Sequence, residues 1–421
     1  MTVRERRGWL IVGAIFVTMF FIWGAINCGA VFFIPVLKQF GWTRAKFSVA
    51  LSIGWVTGGA AGPLIGWLAD RIDPKKMMVV GATITGLLWL ALSRANSFGE
   101  FLAINGTFGI CVGASTSIPS SLLIANWFEH RRGLAMGIAF SGSTLGGAVM
   151  TIVASHAIAS NGWRFGYVTL ALPILLIVVP LIVIFIRNRN ATEARESADG
   201  ASAVPAVQIE GESYELPGLE LAQVTRTRSF WLICAVQLFA GSSLGLGPHF
   251  VAYLTGIGYT ASFAATVVSL YLLMTTAGIL LGGPIADRFT SRTALLGTYT
   301  LASLGSVALL AAVHPIVLAV SVIAAGFAWG SLAVQMPLVM IESLGVRRLG
   351  SVLGVTGIFY TLGAAISPIA TGHIFDVTGS YLIAIGAFAV FLFICALAIF
   401  GCRPLDHEQS QFATPAPSRA A

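Results

Sequence analysis

Gly66-Trp67-Leu68-Ala69-Asp70-Arg71 is echoed 217 positions later by Gly283-Pro284-Ile285-Ala286-Asp287-Arg288. The same ungapped offset pairs Gly41-Trp42-Thr43 with Gly258-Tyr259-Thr260, and Thr144-Leu145-Gly146 with Thr361-Leu362-Gly363. Gly109 and Gly113 return as Gly326 and Gly330, Gly137 as Gly354, His156 as His373, and Gly162 as Gly379. So many glycines on one offset mark a duplicated chain, and the repeat decides how everything else is read.

The repeated unit is built for hydrocarbon. Of 421 residues, 57% are hydrophobic and 10% charged, with mean hydropathy +0.87. Soluble domains carry about 45–50% apolar and about 25% charged residues. A water-soluble globule, a disordered chain, a collagen and a disulfide scaffold are therefore excluded. The apolar runs are continuous, whereas membrane barrel strands alternate. A span needs about 20 apolar residues. Twelve runs qualify: 9–37, 47–69, 77–93, 101–126, 133–156, 165–186, 229–256, 262–286, 293–313, 315–341, 350–374 and 381–402. None contains Asp, Glu, Lys or Arg. The first run is too long for a signal h-region of about 7–15 residues and reads as an uncleaved span.

Of the 24 Lys and Arg, only Lys38, Arg44, Lys46, Arg94 and Arg164 fall on one side of these spans. Lysine and arginine gather on the cytoplasmic side, so both termini are expected inside, in the cytoplasmic (inner) membrane. Residues 188–227 form the one long polar stretch and read as a flexible linker. The expected organisation is a six-helix bundle over 1–187, a cytoplasmic linker over 188–228, a second six-helix bundle over 229–403, and a flexible tail over 404–421. Six spans return the chain to its starting side, so the repeats are parallel, about an axis along the membrane normal. This arrangement serves alternating access. The expected fold class is an all-α membrane protein of 12 transmembrane helices in two parallel repeats.

The motifs also carry a resemblance. Gly66-x-x-x-Asp70-Arg71-x-x-x-Lys75-Lys76 resembles the loop 2–3 signature of the major facilitator superfamily, and Asp287-Arg288 its weaker copy in loop 8–9. Asp73 and Pro74 stand where that signature usually has a glycine turn. Trp127-Phe128-Glu129-His130-Arg131-Arg132-Gly133-Leu134-Ala135-Met136-Gly137, continuing through Ser141-Gly142-Ser143-Thr144-Leu145-Gly146, resembles the monocarboxylate porter and oxalate/formate exchanger family. Gly29-Ala30-Val31-Phe32-Phe33 and Phe40-Gly41-Trp42-Thr43-Arg44-Ala45 are similar to its first helix and loop. The resemblance implies a secondary transporter of a small organic acid, a monocarboxylate, by proton symport or exchange. Members also carry a helix 8 arginine, but Thr275-Thr276-Ala277-Gly278-Ile279-Leu280-Leu281-Gly282 has none. A carrier or exporter of a neutral solute is the alternative.

A cytoplasmic gate is expected at Gly66, Asp70, Arg71, Arg131, Arg132, Asp287, Arg288 and Arg348. Carboxylates at helix N-termini are favoured by the dipole, and ion pairs between the bundles would latch the mouth. Plain topogenic charge is the competing reading. Gly109/Gly113 and Gly137/Gly142/Gly146 read as close-packing positions.

With no fixed charge inside the spans, cationic drugs lack a counter-ion and dianions a clamp. Candidate pathway residues are Asn27, Ser115, Thr116, Ser117, Ser141 and Thr144, then His249, Tyr253, Tyr271, Thr275, Trp329, Gln335 and Tyr360. Serine and threonine in membrane helices often bond only their own backbone; Asn27 and Gln335 carry amides that are costly to bury unpaired. His249, in Gly245-Leu246-Gly247-Pro248-His249, interrupts a helix and titrates near neutrality. It either couples substrate to protons or faces the outer interface. His156 and His373 read as interfacial, and His130, His314 and His407 as loop residues. The five cysteines read as small buried hydrophobes. No cofactor, metal or nucleic acid is expected; the partners are a small-molecule substrate, protons in the coupled reading, and the bilayer around a monomer. No catalytic constellation or P-loop is present, so neither an enzyme nor an ATP-driven pump is expected.

Overall fold

The computed structural model describes residues 3–128, 131–186 and 218–410. Its helices are α1 (Val3–Asn27), α2 (Gly29–Phe40), α3 (Arg44–Ala69), α4 (Pro74–Arg94), α5 (Phe98–Ser115), α6 (Ser117–Trp127), α7 (Arg132–Pro173) and α8 (Val179–Phe185). After the polar stretch come α9 (Leu221–Val224), α10 (Arg228–Ser242), α11 (Phe250–Gly256), α12 (Ala261–Phe289), α13 (Ser291–Leu309), α14 (Pro315–Leu344), α15 (Leu349–Thr378), α16 (Leu382–Phe400) and α17 (Leu405–Ser410). Among the described residues there is no strand, only an isolated bridge between Gly218 and Gly345.

Among the described residues, ten helical stretches are long and apolar enough to cross a membrane. The twelve apolar runs fall mostly on helix, and two facts account for the difference in number. Runs 133–156 and 165–186 lie in one helical stretch, Arg132–Phe185. Its backbone breaks at Gly162, whose φ of 83° and ψ of 168° are not helical. The serines, threonines and Arg292 of α13 keep it below the apolarity of the ten.

The repeat is visible in local chemistry. Gly41 closes α2 in a left-handed conformation, and the Thr43 side chain then accepts from the Lys46 amide to start α3. In the second half Gly258 also takes a positive φ, and Thr260 accepts from the Phe263 amide at the start of α12. Gly162 and Gly379 share positive φ as well. Such caps satisfy donors that the helix cannot, and only glycine takes those φ values without a Cβ penalty. Asp73, the departure from the usual glycine turn, N-caps α4 through the Lys75 amide, with Pro74 in the first turn. The turn is thus made by a cap instead of a flexible residue.

Long apolar side chains point outward, among them Ile152, Ile316, Ile369 and Val377, each at least 71% exposed. Such a surface suits lipid and not water. All five cysteines are buried thiols.

Specific contacts lie at both expected boundaries. The linker is expected to run to 228, and residues 218–227 are among those described. Leu219 donates its amide to the Leu344 carbonyl, and Glu220 caps α9. The tail is expected to be flexible from 404, and α17 folds back there, with Glu408 buried and its Oε1 accepting from the Ser229 hydroxyl at 2.6 Å. Composition missed both because each segment is held by one or two specific polar contacts, which leave little trace in average polarity. The rest of the linker, 188–217, and of the tail, 411–421, lies outside the described residues, as does His130. His407 lies in α17, not in a loop.

Candidate functional site

Two aspartates tie the halves together at one end of the molecule. Asp70 follows the C-terminus of α3. Its Oδ1 accepts from the Gly350 amide at 2.8 Å and its Oδ2 from the Ser351 amide at 2.8 Å. The Ser351 hydroxyl donates to the same Oδ2 at 2.5 Å. Asp287, near the C-terminus of α12, repeats the arrangement in reverse: its two oxygens accept from the Gly133 and Leu134 amides, each at 2.8 Å. Each carboxylate therefore sits on the N-terminus of a helix of the other half. First-turn amides have no partner within their own helix, and the positive end of the dipole favours an anion. Charge-assisted bonds of this kind are roughly twice as strong as neutral ones.

Glycines allow the approach. A Cβ on Gly66 would overlap the Gly350 carbonyl, one on Gly354 the Gly62 carbonyl, and one on Gly133 the Gly283 carbonyl. α3 thus meets α15, and α7 meets α12, backbone to backbone. Burial pushes the Asp70 carboxyl above its ordinary range, against the downward pull of the Ser351 hydroxyl, the two amides and Arg348.

The arginines have their own contacts, and Arg348 is also near enough to lower the Asp70 carboxyl across the halves. Arg71 lies over the Trp67 ring at 4.1 Å and Arg288 over Phe289 at 5.6 Å. Arg132 donates to the Phe128 and Ala125 carbonyls of its own half. Arg131 takes a left-handed conformation just before α7. Arg347 and Arg348 both bind Glu220, at 2.7 and 2.9 Å, and this pairing holds the Glu220 carboxyl below its ordinary range. The aspartates' cross-half bonds run to backbone amides, with the Ser351 hydroxyl added on one side, because the small residues bring helix ends together. Sequence reading missed Glu220, Ser351 and the amide donors. The repeat offset, which takes Gly133-Leu134 to Gly350-Ser351, was the signal that could have exposed the last.

The pathway candidates divide. Asn27 ends α1, is exposed, and donates to the Ser143 carbonyl at 3.4 Å. Ser117 is exposed just past a break at Thr116. Ser115, Thr116, Ser141, Thr144 and Thr275 each donate to a carbonyl of their own helix. Gln335 is fully buried in the second half, accepting from the Thr298 hydroxyl and donating to the Gly282 carbonyl. Its amide clasps α12, α13 and α14. Tyr253 is buried with its hydroxyl on the Leu309 carbonyl at 2.6 Å. Tyr360 is half-buried, its carbonyl against Gly241. Tyr271 and Trp329 line a cavity of about 360 Å³ within the second half.

His249 sits in a 3-10 turn, Ser243–His249, between α10 and α11. Its Nε2 meets the Pro368 carbonyl at 3.2 Å and its Nδ1 the Tyr381 hydroxyl at 3.4 Å. A carbonyl only accepts, so Nε2 carries the proton. Among the described residues no cluster of three or more His, Cys, Asp or Glu could hold a metal.

The profile of the Major Facilitator Superfamily matches residues 11–368 and 239–420. The chain belongs to the major facilitator superfamily. It is 23% identical to the uncharacterized transporter YcxA of Bacillus subtilis (strain 168), over 94% of this chain and 95% of that protein. It is 25% identical to monocarboxylate transporter 13 of Rattus norvegicus, over 89% and 84%. It is 24% identical to the probable sulfoacetate transporter SauU of Cupriavidus necator, over 88% of each. The proton:xylose symporter XylE superposes with a TM-score of 0.73 at 13% identity, covering 97% of this chain and 100% of that one. FucP in its outward conformation gives 0.68 at 16% identity, covering 92% and 97%. These likenesses fix the fold. This superfamily member is a multi-pass membrane transporter and not an enzyme.

Proposed function

We propose that this protein carries a small organic acid, a monocarboxylate, across the cytoplasmic membrane by alternating access, coupled to protons or by exchange. The observation that carries the mechanism is the pair of reciprocal carboxylate-to-helix latches at Asp70 and Asp287. Such contacts join two bodies at their ends and can break without unfolding either one. The Lys/Arg asymmetry puts that end in the cytoplasm, so the described state is closed to the inside, with both termini on that side of a two-bundle monomer. Residues 220–227 lie on the same side.

The relatives named for monocarboxylate and sulfoacetate support the substrate class. No lysine or arginine lies within the apolar runs, so the carboxylate would be held by amides, hydroxyls and helix ends. Asn27 and Ser117 are the exposed groups among the candidate residues.

His249 is the proposed proton site. Protonation keeps the Nε2–H on the Pro368 carbonyl and turns Nδ1 into a donor toward the Tyr381 oxygen. His249 thereby reads the far part of α15, the helix whose other end Asp70 holds. The same lack of a fixed cation favours the second reading, a carrier of a neutral small solute.

The test is uptake of labelled lactate, pyruvate, formate and oxalate into proteoliposomes, with and without a pH gradient. Uptake or competition by at least one acid is expected, and silence from all four under both conditions rejects the organic-acid reading. His249→Ala in the same assay should lose the gradient dependence; an unchanged dependence removes His249 from coupling.

A further inference from the structure

The two halves touch along one face of α3 and then part. Gly66, Gly62 and Gly59 meet Gly350, Gly354 and Thr361 of α15 so closely that a Cβ on any of the three would overlap its partner. At 3.6 residues per turn these glycines share one face of the helix, and Trp55, four residues before Gly59, continues it. Trp55 is 61% exposed. Its level on α15 is taken by Ala365, four residues past Thr361 and also exposed. Beyond the seam the halves therefore stand apart, and Trp55 faces the cleft between them.

A second ring shares that wall. Trp23 of α1 lies against Trp55, ring centroids 5.9 Å apart. Trp23 is at the centre of the apolar run 9–37, and Trp55 is near the middle of the 26-residue α3. Tryptophans that anchor a protein in lipid gather at the two membrane–water interfaces, whereas this pair lies at mid-span. Transporters bind substrate at that depth, beside interrupted helices, and the first span is interrupted close by: α1 ends at Asn27 and α2 begins at Gly29. Asn27 lies one turn from Trp23 on the same face and is exposed. Its Nδ2 donates to the Ser143 carbonyl only at 3.4 Å, longer than the usual range of about 2.7–3.2 Å, so a carboxylate can replace that contact. At the 217-residue offset Trp23, Asn27 and Trp55 become Ala240, Leu244 and Leu272. The rings and the amide thus belong to one half and are not part of the packing that both halves share.

We propose that Trp23 and Trp55 form the wall of the substrate site and select acids with an aromatic body. The ring of the acid lies against the indoles in the offset and edge contacts that aromatic groups prefer, and its carboxylate accepts from the Asn27 amide. Small-molecule sites combine apolar walls with a few placed polar groups in this way. The proposal rests on the organic-acid reading and names the class of acid.

Pyruvate and phenylpyruvate carry the same carboxylate and differ by one ring. Uptake of each, labelled, is measured in proteoliposomes against protein-free liposomes. Phenylpyruvate should show a KM at least ten-fold below that of pyruvate. Trp55→Leu, which installs the residue of the second half, should raise the phenylpyruvate KM at least ten-fold and erase the preference. Trp55→Phe, which keeps a ring, should retain most of it. Thermal unfolding checks that each variant is folded, and Trp23→Leu replaces Trp55→Leu if that variant is not. Uptake of small acids without a preference for phenylpyruvate, or a preference untouched by Trp55→Leu, overturns the inference and leaves the organic-acid reading standing. Silence from phenylpyruvate and from all the small acids overturns both.

Discussion

Asp70 and Asp287 occupy equivalent places in the two halves, yet the contacts they make are unequal. Asp70 holds two amides and the Ser351 hydroxyl, with Arg348 close enough to be felt. Asp287 holds two amides, because Leu134 stands where the other half has serine. The α15 side is also braced from outside the bundle, where Glu220 binds Arg347 and Arg348. The same latch occurs twice, and one copy carries an extra hydroxyl bond. The lesson is that a two-fold repeat can share a backbone device while the balance between its copies is set by single side chains.

The comparison can be broken most sharply through backbone approach. Gly66→Leu or Gly283→Leu places a side chain on an opposing carbonyl that cannot retreat. Either should keep the latch end from closing and cut transport at least ten-fold. The check is uptake together with labelling of a cysteine introduced at that end. Labelling equal to the parent would mean that closure does not need these contacts.

The next effect is the inequality itself. Asp70→Ala should shift the closed–open balance by about ten-fold, roughly 1.4 kcal/mol, in line with a carboxylate at a partly buried helix N-terminus. Asp287→Ala should shift it less. Equal or reversed shifts would show that the extra hydroxyl carries no weight. Ser351→Ala then isolates that hydroxyl: its loss should cost about 1 kcal/mol and make the two latches alike.

The pH response follows from burial. Asp70 binds its proton more tightly when closed in than when opened to water at its ordinary value. Closure therefore takes up protons. Acidification should favour the closed state through the window between those two values, and the gain is lost as pH rises past the raised one. A labelling titration should show this slope in the parent and flatten in Asp70→Asn; a slope of opposite sign would contradict it. The smallest effect belongs to Glu220→Gln. Its pairs are about a third exposed, and such pairs contribute little, so less than a two-fold change in labelling is expected.

Much of the fold was legible because the repeat and the apolar runs are period and composition signals. Gly41 and Thr43, then Gly258 and Thr260, announced the same turn twice. The site was less so. The bonds of Gln335 were hidden because nothing near it in sequence names Thr298 or Gly282 as its partners. The bond from Arg348 to Glu220 was hidden because Glu220 lies 128 residues away, in a stretch whose composition reads as linker.

By itself the sequence determined a duplicated, all-helical membrane chain with its charge kept outside the apolar runs. Hydrophobic periodicity and turn residues act within a few positions and need no knowledge of the partner helix. Only the tertiary structure decided which helix end each aspartate holds, that Ser351 strengthens one latch, and that Trp23 and Trp55 meet from different helices. These are contacts between segments far apart in the chain, and their chemistry depends on distances that residue order does not encode.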